Sequence, residues 1–117
     1  RRSSDLLLPE SDELERIINE ADLIIDALLG TGFAHEDVKS PYDEWIRLVN
    51  QSQQQSHVPI LSIDCPSGIN AQSGKAASNC IYATSTVTML ALKPGLIAES
   101  AKRFVGKLFL APLILGG

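Results

Sequence analysis

The stretch ILSIDCPSGIN, residues 60–70, drives an apolar run into Asp64 and stops it at once with Pro66, Ser67 and Gly68. An earlier stretch, DLIIDALLGTG at residues 22–32, has the same design: an apolar run ends in Asp26 and is followed by a Gly-Thr-Gly turn. Continuous rather than alternating apolar residues predict short strands buried on both faces, the pattern of a parallel sheet. Between the two runs, Tyr42, Trp45, Ile46 and Val49 fall on one face of a helix. Ser40 is its expected cap, and Pro41 takes the first helical position, where a missing N–H costs nothing. A strand, a helix-length crossover and a second strand imply parallel pairing. Ligands of such sheets bind beyond the carboxyl ends of the strands. Asp26 and Asp64 both stand there, and on neighbouring strands they would converge on one crevice.

Working outward, Ser11 is the expected cap of an amphipathic helix carrying Leu14, Ile17, Ile18 and Ala21 at helical spacing. The polar run NQSQQQSH, residues 50–57, is expected to fray out as a surface loop. Residues 65–84 form a turn-rich connection without periodicity. STVTMLAL (85–92) predicts a third strand, KPGLIAESAKRFV (93–105) a loop with a turn of helix, and GKLFLAPLIL (106–115) an edge strand interrupted by Pro112. No repeat is visible. The fold class is α/β with a mainly parallel sheet.

The 117 residues suffice for a single domain. Net charge is −4, and the basic residues are scattered singly, so neither nucleic acid nor an anionic membrane is an expected partner. Cys65 and Cys80 make neither a disulfide framework nor a metal spacing, which suits reduced thiols in the cytoplasm. No apolar run reaches membrane-spanning length. RRSSDLLLPE, residues 1–10, lacks an initiating Met and reads as the middle of a chain.

A strand-end carboxylate can bind a ribose hydroxyl, hold a cation or move a proton; it can equally cap its own turn. Gly30-Thr31-Gly32 is too short for a dinucleotide fingerprint and has no following Lys-Ser/Thr for a P-loop. It permits close backbone approach to a ligand, or simply a tight turn. The flanks of Ser67 do not match a nucleophile elbow, and His35 and His57, the only imidazoles, are not marked as bases. A hydroxyl beside strand-end aspartates suits a hard cation better. Cys65 has no adjacent cation in sequence to activate it and reads as packing. Lys93 is either a phosphate contact or a solvated loop lysine. Tyr42 and Trp45 read as helix packing rather than a ring-stacking site.

Taken in order, DLIIDALLGTG, a Pro-Tyr helix start, VPILSIDCPSGINAQSGK, TVTMLALKPGL and VGKLFLAPL resemble the YjeF N-terminal domain family over about residues 20–113. The resemblance implies a Rossmann-like three-layer α/β/α sandwich and NAD(P)H-hydrate epimerase activity, the interconversion of R and S hydrates of NADH and NADPH. A non-catalytic binding or scaffold module derived from this fold is the alternative. By matching motif, Asp26 and Ser67 are expected potassium ligands. Gly30, Thr31, Gly32, Phe33, Ala34, His35 and Glu36 form the expected substrate loop. Asp64 is expected to contact substrate and to serve in acid–base catalysis. Expected partners are the hydrated cofactor, a second copy of the chain, and an NAD(P)H-hydrate dehydratase, fused or separate. The family's Asn-Asn-Gly-Gly-Asp loop does not occur in the 117 residues. The chain is therefore expected to be one domain, residues 1–117, incomplete at its N-terminal side.

Overall fold

A computed structural model describes residues 9–29, 33, 37–89 and 92–111. In chain order the elements are α1 (Ser11–Asn19), β1 (Ile24–Asp26), α2 (Tyr42–Ser56), β2 (Ile60–Ile63) and β3 (Ser85–Met89). Two 3₁₀ turns follow, Pro94–Ile97 and Glu99–Ala101, then α3 (Lys102–Val105) and β4 (Lys107–Ala111). The strands form one sheet in the order β1-β2-β3-β4, and every pairing is parallel.

Register places the helices. Asp26 pairs with Ser62, Ser62 with Thr86, and Thr86 with Leu108, so these four side chains share one face. Ile60, two residues before Ser62, packs on that face with Ile46, Leu48 and Val49 of α2. Leu108 packs there with Phe104 and Val105 of α3. Among the described residues, α2 and α3 thus lie on one side of the sheet. On the other side stand Ile25, Leu61, Ile63, Val87, Met89 and Phe109, and Ile25, Phe109 and Met89 are 60%, 53% and 44% exposed. The α/β class and the parallel sheet are as expected. Of the expected sandwich, the described residues supply the sheet and one helical layer.

Three local expectations change. The run at residues 50–56 is not a loop: α2 continues to Ser56 and ends at His57 in the left-handed region, φ 58°. Tertiary anchors hold it. Asn50 donates to the Cys80 carbonyl (2.8 Å) and accepts from the Tyr82 N–H (2.9 Å), and the buried Ser52 donates to Asn19 of α1 (3.2 Å). The cap of α1 is Glu10 rather than Ser11, and that of α2 is Pro41 rather than Ser40; neither helix has a side-chain cap bond. On α1, Ile18 is buried but Ile17 is 47% exposed, so the helix seats a narrower stripe than its spacing suggested.

Candidate functional site

The last residue of β1, Asp26, is 3% exposed and lies beside the fully buried Ser62 of β2. Its Oδ2 accepts from the Ser62 hydroxyl (2.7 Å) and from the Ser67 N–H (2.8 Å). Its Oδ1 accepts from the Ser67 hydroxyl (2.5 Å) and, more distantly, from the Leu28 N–H (3.4 Å). Ser67, also fully buried, accepts in turn from the Leu29 N–H at 2.9 Å, with the Leu29 carbonyl 3.4 Å from the same hydroxyl oxygen. The loop after β1 is thereby tied to the Pro-Ser-Gly turn after β2. Among the described residues no ion pair neutralises Asp26.

The turn that delivers Ser67 is built from unusual backbone. Asp64 itself is left-handed, φ 76°, with its N–H donating to the Val87 carbonyl of β3 at 2.7 Å. For a residue other than glycine this conformation is uncommon, and such positions gather at binding and catalytic sites. Gly68 follows at φ 102°, and a Cβ there would stand 2.5 Å from the Asn79 carbonyl oxygen. Glycine is therefore required where the turn crosses under residues 79–80. The consequence is a division of labour: Ser67 turns inward to Asp26, whereas the Asp64 side chain stays 38% exposed.

Lys93 comes from the far side of the site. Its ammonium lies 4.0 Å from Asp64 Oδ1 and donates to the Met89 carbonyl (3.3 Å). The sequence left Lys93 undecided, because nothing local pairs a loop lysine with a carboxylate 29 positions earlier. What links them is the register that sets the end of β2 beside the end of β3. A pair this open is worth about 0–1 kcal/mol to stability, so its placement matters more for chemistry than for folding.

Cys65 is 1% exposed and packs with Ile69, Cys80 and Leu96. Burial, and then the negative charges of Asp64 and Asp26, push its thiol up to about 11. Burial likewise raises Cys80, with Asp26 adding to the effect. Both act as packing residues. Reaction of the folded protein with a thiol reagent at pH 8 should therefore run on the order of 100-fold slower than for a free thiol, since only the thiolate reacts. Prompt labelling of Cys65 under native conditions would contradict this burial.

Of the expected substrate loop, Gly30, Thr31, Gly32, Ala34, His35 and Glu36 lie outside the described residues. Phe33 packs against the α1/α2 core and borders a cavity of 220 Å³ with Leu29, Val38 and Tyr42. The geometry thus unites Asp26, Ser67 and Leu29 in one cluster and sets Asp64 and Lys93 at its rim. Among the described residues no group of three or more His, Cys, Asp or Glu side chains gathers as a metal site.

Comparison with known proteins identifies the family. The family model described as YjeF-related protein N-terminus matches residues 3–95. The chain belongs to that family. A bifunctional NAD(P)H-hydrate repair enzyme of Leishmania braziliensis is 43% identical over 89 residues, 76% of this chain and 15% of that protein. An NAD(P)H-hydrate epimerase of Legionella pneumophila (strain Corby) is 39% identical over 92 residues, 78% of this chain and 32% of the relative. Another, from Limosilactobacillus reuteri, is 34% identical over 104 residues, 89% of this chain and 46% of the relative. The chain thus spans less than half the length of each of these three relatives.

Proposed function

We propose that this chain carries the carboxyl-end portion of an NAD(P)H-hydrate epimerase site, acting on hydrated NADH or NADPH. The observation that supports the reading best is the linked pair of strand ends: Asp26 locked to Ser67, with Asp64 left facing outward beside Lys93. The reacting carbon of the hydrate bears a hydroxyl next to the ring nitrogen. Inverting it requires either departure and return of that oxygen, or opening and reclosure of the ring. Both routes need a group that gives a proton and a group that takes one. Asp64 is the acceptor within the crevice, and Lys93 is a second proton-carrying group on its opposite wall. Gly30-Thr31-Gly32 allows the backbone to approach the cofactor closely.

Potassium fits the Asp26 cluster by donor chemistry. Every donor is oxygen, and Asp26 is a buried carboxylate without a cationic partner among the described residues. Hard cations favour such a set, and charge left uncompensated in low dielectric is costly. Asp26, Ser67 and the Leu29 carbonyl would hold it. Ser67 Oγ gives its single proton to Asp26 Oδ1 or the Leu29 carbonyl and accepts from the Leu29 N–H, which leaves one lone pair for an ion. A bound cation would neutralise Asp26 and stiffen the link between the two loops. Melting in KCl rather than choline chloride at equal ionic strength is expected to raise the transition by a few degrees, consistent with ligand linkage, and Asp26→Asn should abolish the difference. Equal transitions in both salts for the parent chain would end the potassium assignment.

The open apolar sheet face supports a further part of this reading. It is to be covered either by the remainder of a complete family domain or by a second copy of the chain. A dehydratase acting on the S hydrate completes the repair, and the names of the bifunctional relatives favour its fusion. No helix among the described residues is long and apolar enough to cross a membrane; we place the reaction in the cytoplasm. The function is tested by adding the R hydrate to a polypeptide that contains this sequence within a complete domain, coupled to an S-specific dehydratase. Cofactor restoration above the spontaneous rate is expected. Restoration at the spontaneous rate, with tight hydrate binding, would favour the non-catalytic module.

A further inference from the structure

A cavity of 540 Å³ is lined in part by Arg47, Asn50, Asn79, Tyr82, Arg103 and Phe104, and its wall at residues 79–80 backs onto the Gly68 turn. Tyr82 is three residues before β3, and Phe104 is three residues before β4. In an all-parallel sheet these positions mark the amino ends of the strands, the end opposite Asp26 and Asp64. The volume falls within the range of small-molecule sites, roughly 300–1,000 Å³.

Its walls combine a cation and an aromatic plane. The Arg103 guanidinium stands 4.8 Å from the centroid of the Phe104 ring. No carboxylate among the described residues pairs with it. Arg47 differs: both oxygens of Glu44 accept from it, and so does Gln51. The one uncompensated positive charge of the cavity is therefore Arg103, among the described residues. The Tyr82 ring packs on the Phe104 ring (centroids 4.5 Å apart, planes at 34°) yet remains 41% exposed. Asn50 fixes this wall to α2 by bonding the Cys80 carbonyl and the Tyr82 N–H on either side of Ile81. An aromatic plane held open to solvent, next to a guanidinium already oriented by its ring, is prepared for a flat ring that carries an anion. Guanidinium geometry matches phosphate, and stacking on tyrosine suits a heteroaromatic base.

We propose that this cavity is a second ligand site, for a nucleoside monophosphate or a similar planar aromatic phosphate, with Arg103 on the phosphate and Tyr82 under the ring. It neither uses nor requires the epimerase site. The test titrates the ¹⁵N-labelled 117-residue chain with AMP, adenosine and ribose 5-phosphate. AMP should shift Tyr82, Asn50 and Phe104 amides in a saturable manner, and each half-ligand should bind at least 10-fold more weakly. Arg103→Gln should weaken AMP at least 10-fold while leaving adenosine unchanged; Tyr82→Leu should weaken both AMP and adenosine. Asp64→Asn should leave the cavity shifts as they are. Absence of saturable shifts, shifts at Leu29, Asp64 and Ser67 instead, or full AMP affinity in folded Arg103→Gln would each overturn the proposal. Amide spectra that match the parent away from the substitution establish that the variants are folded.

Discussion

In a polypeptide with a complete family domain, Asp64→Asn is expected to lower epimerase turnover by about 10²–10⁴-fold, the usual contribution of a positioned acid–base group. The substitution keeps the shape of the side chain and removes its ability to accept a proton. Asp64 is suited to this test because its side chain has no structural duty among the described contacts. Its backbone N–H holds the Val87 carbonyl, and its carboxylate is half-turned to solvent with only Lys93 nearby. Stability should therefore change little. Asparagine also tolerates the left-handed region that position 64 requires, φ 76°. Steady-state rates with the R hydrate, together with a urea melt, check both halves. Undiminished turnover in the variant would remove Asp64 from the chemistry.

The opposite profile is expected one strand away. Asp26→Ala deletes the acceptor of the Ser62 hydroxyl and of the Ser67 N–H, both buried, and leaves the Ser67 hydroxyl only the Leu29 carbonyl. Each stranded donor costs about 1–3 kcal/mol, so the isolated chain should lose on the order of 3 kcal/mol or more, enough to unfold a marginal domain. Asp26→Asn keeps one acceptor oxygen and should cost less. The measurement is the urea midpoint of the three proteins, read by far-UV circular dichroism. A midpoint for Asp26→Ala equal to that of the parent would show that the cluster does not hold the two loops together.

These two aspartates look alike in sequence, each closing an apolar run, and only the structure separates them. What was legible was the placement: continuous apolar runs at residues 22–28 and 58–63, joined by a helix, fixed a parallel pair with both carboxylates at its carboxyl end. What was not legible was orientation. Whether a strand-end side chain turns in or out depends on backbone after the strand, here the left-handed Asp64 and the Gly68 turn, which swing Ser67 under Asp26 and leave Asp64 at the rim. Lys93 was similarly hidden, because its relation to Asp64 depends on the pairing of β2 with β3 rather than on any local motif.

The helix boundaries show a different limit. Residues 50–56 carry no apolar periodicity, so pattern alone ends α2 too early. Asn50 and Ser52 extend it through hydrogen bonds to residues 80, 82 and 19, which no local propensity contains. The open sheet face also escaped the strand patterns. Runs that are apolar throughout predict cover on both sides, and Ile25, Met89 and Phe109 show which side lacks it among the described residues.

On the proposed function, the hydrated cofactor is received at the carboxyl ends of β1 and β2, against Asp64 and the Asp26–Ser67 link. Amide shift mapping tests it most directly, using ¹⁵N-labelled protein carrying this sequence within a complete domain and titrated with the R hydrate of NADH in potassium buffer. Saturable shifts are expected at Leu29, Asp64, Ser67 and Lys93. Saturation of binding with those four amides unmoved would contradict it.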